Sequence, residues 1–329
     1  MFVDLNGKKR NDPVPVDQLM AAVSEFAANR NATGKIIAYK GSYVVYTGEN
    51  YDSAPVHDKI KINESKPKIN ENLRKAYTNI LAKYKSTIRS YSNRIQQLLQ
   101  ARTSVREEKY KFGAGIVSSR LGDPHKRYWY RNIEGTDVPD LAVLLLVDGS
   151  RSMEGPRIEN AITSSVIIHE VLKSAGIKHA IAEHRARYNE PVIDVNILVG
   201  FDARDDEKLN ILQMEAYGNS RDGLSLYWAE RYIQKMTSNE YKLIIVISDG
   251  VPAHEFDKYY PPASKKDTAA AVRKITKRGT NIVAVALDDE DSFDCYNSLA
   301  DIYPNLIGCN NLNRLTSQLL GIIGKILRV

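Results

Sequence analysis

Residues 141–155 read LAVLLLVDGSRSMEG, and the fold of the chain turns on this stretch. Residues 141–147 are continuously apolar, without alternation, the pattern of a strand covered on both faces. The run passes directly into Asp148-Gly149-Ser150-Arg151-Ser152, an Asp-x-Ser-x-Ser string of short oxygen-bearing side chains at the strand's carboxyl end. A helical pattern follows over 157–174. Further on come strand patterns at 178–183 and 192–200, a helix over 223–236, a strand at 242–247 and a helix over 264–277. The strand NIVAVAL (281–287), a short helix around 294–300, a strand near 305–308 and a terminal helix over 312–327 complete the series. Alternating strands and helices predict an α/β fold with a doubly wound, mostly parallel sheet. Such sheets place their sites beyond the carboxyl ends of strands, where the strand order reverses.

Upstream of this 140–329 domain three segments are expected. Residues 1–65 read as a small α+β unit: Leu19, Val23 and Phe26 have helical spacing within 16–28, and two β-rich runs flank Lys40-Gly41-Ser42 as a hairpin. Lys66-Pro67 marks a boundary. Beyond it Ile69, Leu73, Tyr77, Ile80, Tyr84, Ile88, Tyr91, Ile95 and Leu98 form one apolar stripe, and no Gly or Pro interrupts 69–111. Residues 66–111 therefore predict a long basic amphipathic helix reaching about 60 Å at 1.5 Å per residue, its stripe packed on a neighbouring helix or on the C-terminal domain. Residues 112–139 are a Gly/Pro-punctuated connector carrying the basic-aromatic run Lys126-Arg127-Tyr128-Trp129-Tyr130-Arg131.

Composition narrows the function classes. The net charge of +6 over 329 residues hides an asymmetry: residues 59–131 hold 18 Lys/Arg against 5 Asp/Glu, a balance of +13, so the rest of the chain carries −7. Two surfaces with different partners are implied. No Gly-x-Gly-x-x-Gly follows the first strand and no phosphate-binding Gly-x-x-x-x-Gly-Lys-Ser/Thr loop occurs, so ATP hydrolysis is expected from a partner. Cys295 and Cys309 form no Cys-x-x-Cys pair and read as packed thiols of a reducing compartment. The opening MFVDLNGKKRNDP lacks the apolar stretch of a leader and no apolar run approaches a membrane span, which together predict a cytoplasmic protein without membrane contact. The terminal LLGIIGKILRV is expected to cover the sheet. His169, His179 and His184 read as surface or packing histidines, and the acidic run at 288–291 as a solvated loop.

The chemistry gathers at strand ends. A second buried strand ends in Ser248-Asp249-Gly250, and between the two lies the polar loop Tyr217-Gly218-Asn219-Ser220-Arg221-Asp222-Gly223, opening a helix. In a doubly wound sheet these loops meet. The residue types suit Mg²⁺, a hard octahedral cation that takes oxygen ligands and keeps several waters, with Mn²⁺ or Ca²⁺ as substitutes. Ser150 and Ser152 can bind directly without neutralising it, while Asp148 and Asp249 can hold its waters. The ion keeps positive charge and an open position that a partner's Asp or Glu completes. The competing structural reading has Asp148 and Ser150 merely capping the next helix.

These residues resemble a von Willebrand factor A (vWA) domain with a metal-ion-dependent adhesion site. Within that fold, LLLVDGSRSMEG (144–155), DGLSLYWAERYI (222–233) and IVISDGVP (245–252) are similar to the branch of CobT-type cobaltochelatase subunits and NorD-type nitric oxide reductase activation proteins. The connector GIVSSRLGDPHKRYWYR (115–131) resembles the segment preceding vWA in that branch. The similarity covers the last 190 residues well, the helix and connector loosely, and the first 65 not at all. It implies a non-catalytic adaptor that works with a MoxR-class AAA+ ATPase in metal insertion or enzyme maturation and binds a protein client presenting Asp or Glu. By motif position Asp148, Ser150, Ser152, Asp222 and Asp249 would form the metal site. Arg151 replaces the usual Gly, His254 replaces an expected acid, and the loop ligand, often Thr, falls here to Ser220 or Asp222. Two alternatives stand beside this reading. One is nucleic-acid binding through basic residues 59–131; the other is a Mg²⁺-dependent hydrolase with Asp148 as nucleophile and Asp249 on the metal.

Overall fold

The computed structural model describes residues 2–3, 9–10, 37–38, 44–103, 105–133, 140–287 and 294–309. The helix expected over 16–28, the terminal helix over 312–327 and the acidic run at 288–291 lie outside these residues. Strands β1 (Phe2–Val3) and β2 (Lys9–Arg10) form a short antiparallel pair.

The main sheet has nine strands. β3 (Ile37–Ala38), β4 (Val44–Thr47) and β5 (Lys61–Ser65) come from the N-terminal part. The others are β9 (Leu141–Asp148), β10 (Lys178–Ala186), β11 (Val192–Val199), β12 (Tyr241–Ser248), β13 (Thr280–Leu287) and β14 (Leu306–Cys309). Their order is β14-β13-β12-β9-β10-β11-β5-β4-β3. From β14 to β10 all pairings are parallel, β11 runs antiparallel to β10, and β5 joins β11 in parallel. The chain leaves β9 to one side for β10 and later returns to the other side as β12, so the strand order reverses between β9 and β12. The mostly parallel α/β sheet expected from residues 141–309 is thus present.

All eight residues of β9 are buried, as the unbroken apolar run requires. Leu141, Val143, Leu145 and Val147 face one layer, built with α1 (Arg74–Thr103) and α2 (Pro156–Ser174). Ala142, Leu144 and Leu146 face the other, built with α3 (Asp222–Met236) and α4 (Ala263–Lys277). The short α5 (Asp294–Ala300) leads into β14. Among the described residues no helix is long and apolar enough to cross a membrane.

Three expectations upstream change. The boundary after residue 65 is not a break in the sheet: β4 and β5 extend it at the free edge of β11, with Ile62 opposite Ile193 and both fully buried. β3 pairs antiparallel with β4; the turn expected at residues 40–42 lies outside the described residues. The long helix stops at Thr103, with a non-helical Tyr84 (φ −106°, ψ 15°) inside it. Its apolar stripe ends at Leu98, so nothing holds residues 105–111 helical; Val105–Tyr110 instead forms β6. The connector is a small sheet of order β6-β8-β7, with β7 (Gly115–Ile116) and β8 (Trp129–Ile133), and the basic-aromatic run enters its central strand. The stripe of α1 does dock on the α/β domain: Tyr77 and Ile95 are buried against α2, and the Tyr77 hydroxyl donates to Glu170 at 2.7 Å.

Candidate metal centre

The parallel register of β9 and β12 places Val147 beside Ile247, so the next residues on each, Asp148 and Ser248, reach the sheet edge together. The Ser248 hydroxyl donates to Asp148 Oδ2 at 3.1 Å, and Asp148 Oδ1 accepts the Ser150 amide at 2.8 Å. This folds the Asp-x-Ser-x-Ser turn back on itself. Ser150 Oγ lies 3.0 Å from Ser152 Oγ, and the Ser152 hydroxyl donates to Asp249 Oδ1 at 2.8 Å. The two strand ends are thereby closed into one polar ring. Neither Asp148 nor Ser150 caps the following helix: α2 begins behind Gly155, and Ser150 makes no side-chain cap bond. The capping alternative fails on this geometry.

The third loop is fastened to the same edge. The amide of Tyr217 donates to the Gly149 carbonyl at 2.8 Å and that of Arg151 to the Gly218 carbonyl at 3.0 Å. Asn219 and Ala186 exchange two backbone bonds of 2.7 Å. Gly218 is required there: its φ is +79°, and a Cβ would lie 2.3 Å from the Ala186 carbonyl oxygen. The loop delivers Ser220 and Asp222, both buried, the latter as the first residue of α3. Both Asp222 carboxylate oxygens are buried with no hydrogen bond inside 3.5 Å, although the neighbouring Ser220 hydroxyl draws the carboxyl's pKa down; Ser220 Oγ itself accepts the Ala253 amide at 3.4 Å.

Asp148, Asp222 and Asp249 are thus buried close together, and Arg157 supplies a cation, its Nη1 lying 3.1 Å from Asp249 Oδ2 and 3.2 Å from the Ser152 carbonyl. Burial pushes the Asp222 carboxyl well up, and the charges of Asp148 and Asp249 push it further. Asp148 is raised by burial. Asp249 is raised to about 6, first by burial and then by Asp148, against the pull of Arg157. Buried carboxylates that repel one another are stabilised by a positive charge placed among them.

The donor set fits a hard divalent cation: hydroxyls of Ser150 and Ser152, carboxylates of Asp148, Asp222 and Asp249, and orphaned oxygens on Asp222. Among the described residues no group of three or more His, Cys, Asp or Glu is placed to hold a metal by itself. The six sequence-predicted residues all come to this edge. Of the departures from the motif, Arg151 is 73% exposed, pairs with Glu154 at 3.9 Å and points away. His254 is buried, its Nε2 at 2.8 Å from the Arg187 carbonyl.

Three further residues that the sequence reading did not assign to the site stand at this edge. Arg157 is the first residue of the region expected to be plain helix and the second of α2. His184 stands opposite Asp148 in the β9–β10 register, fully buried with neither ring nitrogen bonded, and burial pushes its pKa down to about 4. Tyr303, also fully buried with an unpartnered hydroxyl, lies within the field of Asp222 and Asp148. His169 and His179 are packing residues, joined Nδ1 to Nε2 at 2.8 Å away from this edge.

No protein-family model and no curated protein matches the chain. Solved structures similar to it include the open conformation of the pilus adhesin SpaC from Lactobacillus rhamnosus GG (13% identity, 60% of this chain, 31% of that chain, TM-score 0.46). Another is the vWF domain of the type V pili tip protein Mfa5 from Porphyromonas gingivalis (14%, 58%, 97%, TM-score 0.45). A third is proximal thread matrix protein 1 from the mussel byssus with a zinc-occupied MIDAS motif (14%, 58%, 47%, TM-score 0.37). The matched part of this chain spans about a third of the adhesin's length.

Proposed function

We propose that this chain is a vWA-type protein that grips a partner's Asp or Glu through one divalent cation, Mg²⁺ by the hardness of its donors, and is not itself an enzyme. The observation that carries the reading is the convergence of three buried, mutually repelling carboxylates and two serine hydroxyls at the point where the strand order reverses. Ser150 and Ser152 would hold the ion directly and Asp148 and Asp249 through water. The orphaned oxygens favour Asp222 over Ser220 as the loop ligand. When bound, the ion supplies an electrophilic open position for a carboxylate. Arg157 keeps Asp249 oriented, and Ser248 does the same for Asp148. As an adaptor the protein would work with a MoxR-class AAA+ ATPase in metal insertion or enzyme maturation, in the cytoplasm.

The test is Mn²⁺ titration followed by electron paramagnetic resonance, on wild type and on Asp148→Ala/Ser152→Ala. Wild type is expected to bind one ion and the variant at least tenfold more weakly, with unchanged circular dichroism. Absence of Mn²⁺ binding by wild type would overturn the reading. A second reading, nucleic-acid binding, draws on one specific observation: α1 carries seven Lys/Arg and no Asp or Glu. Its signature is binding to single-stranded RNA that falls steeply with salt.

A further inference from the structure

We infer that His57, carried by the segment before β5, is a positioning residue for the metal-binding loop and acts on it through Arg221; this rests on the metal reading above.

Arg221 stands between Ser220 and Asp222 and is completely buried. A buried guanidinium must satisfy five donors, and here they reach away from the metal edge. Nε–H donates to His57 Nδ1 at 3.0 Å and Nη2 to the Val56 carbonyl at 2.7 Å. Nη1 donates to His254 Nδ1 at 3.1 Å and reaches the Phe256 carbonyl at 3.5 Å. The guanidinium also lies over the Tyr259 ring, 4.4 Å from its centre. The side chain next to both candidate loop ligands is therefore anchored to two distant segments.

The His57 ring is fixed by its neighbours. Arginine has no acceptor, so His57 Nδ1 must present its lone pair to Arg221 and carry its proton on Nε2. That proton is donated to Asp267 Oδ2 at 2.8 Å, and the same oxygen accepts the Tyr259 hydroxyl at 2.5 Å. His57 thus joins the buried Arg221 cation to the Asp267 carboxylate. Asp267 in turn abuts the loop: a Cβ on Gly223 would sit 2.2 Å from its Oδ2. The backbone leaving Asp222 is pressed against a carboxylate that His57 holds in place. On the loop's other flank Ser220 N–H donates to the Ala253 carbonyl at 3.0 Å. With Arg221 anchored on one side and this bond on the other, Ser220 and Asp222 have little freedom to leave the site.

Removing the ring leaves the Arg221 Nε–H unpaired in the interior and Asp267 with only the Tyr259 hydroxyl, and the least costly repair is for Arg221 to swing, taking Asp222 with it. The experiment is Mn²⁺ titration by electron paramagnetic resonance on the full chain, with thermal melts run beside it. His57→Gln keeps an acceptor for Arg221 and a donor for Asp267, whereas His57→Leu keeps only bulk. The expected result is Mn²⁺ affinity within about threefold of wild type for His57→Gln and at least tenfold weaker for His57→Leu. Arg221→Lys, which retains the charge but not the fork, is expected to lose at least tenfold as well and serves should His57→Leu fail to fold. The inference is overturned if these variants melt lower yet bind Mn²⁺ as wild type does, or if His57→Gln is as weak as His57→Leu. Failure of wild type to bind Mn²⁺ would instead remove the metal reading, and this inference with it.

Discussion

At the scale of single residues, the carboxylates at the strand ends set stability against ion binding. Asp249 moves from its ordinary 3.8 to about 6 on folding, and Asp148 and Asp222 move the same way. The folded, ion-free chain therefore holds protons that the unfolded chain releases. The stability associated with that uptake is present below pH 3.8 and is lost as pH rises through about 6. For Asp249 alone this is on the order of 3 kcal/mol, at 1.36 kcal/mol per unit. Chelator-treated protein is expected to melt at a lower temperature at pH 7.5 than at pH 5.5, with added Mg²⁺ removing the difference. Asp222→Asn is expected to raise the ion-free melting temperature at pH 7.5 and to weaken Mn²⁺ binding. An ion-free melting temperature that is lower in this variant would contradict the repulsion argument. Four of the six candidate residues, Asp148, Ser150, Ser152 and Asp249, could be read from the sequence because a motif and a buried strand coincide. The choice between Ser220 and Asp222 could not, because it depends on which loop oxygens are left without hydrogen-bond partners after folding. His184 and Tyr303 carry no local signal at all; only sheet register and the packing after α5 bring them near.

Among the elements, α1 shows how far a periodic pattern reaches. Its stripe predicted the docking face, and Ile95 sits 1% exposed against α2. Ile95→Ala is expected to cost about 2–4 kcal/mol in urea unfolding. A loss below about 1 kcal/mol would mean that α1 is not integral to the core. Beyond Leu98 the pattern falls silent, and the absence of Gly and Pro was no substitute for it: residues 105–110 pair with β8 instead. Around the small sheet that results, Phe112, Ile116 and Leu121 are exposed. β5 was legible as neither edge nor core, since KINES has a single strongly apolar residue, Ile62. Its place is fixed by Asn63 and Ser65, which bond to Asp194 and Asn196 at 3.1 and 2.6 Å.

Taken as a whole, the molecule separates its charges. The +13 of residues 59–131 lies largely on α1 and the small sheet, while the metal edge is acidic. Affinity capture from a lysate with wild type and with Asp148→Ala/Ser152→Ala as baits distinguishes the two surfaces. Partners lost with the variant belong to the metal edge. Partners kept by both belong to the basic surface, and those removed by nuclease identify it as a nucleic-acid face. The expected result is loss of a protein partner with the variant; identical catches from both baits would count against the metal grip.

The pairing of β5 with β11 has a consequence for synthesis. Asn63 and its partner Asp194 are 131 residues apart. At roughly 5–20 residues per second, β5 waits about 7–26 s on the ribosome before the strand that completes its edge is translated. Through that interval Ile60 and Ile62, both fully enclosed in the finished sheet, have no partner layer. Chains stalled before residue 190 should be captured by chaperones more than chains stalled late enough for β11 to have left the ribosome.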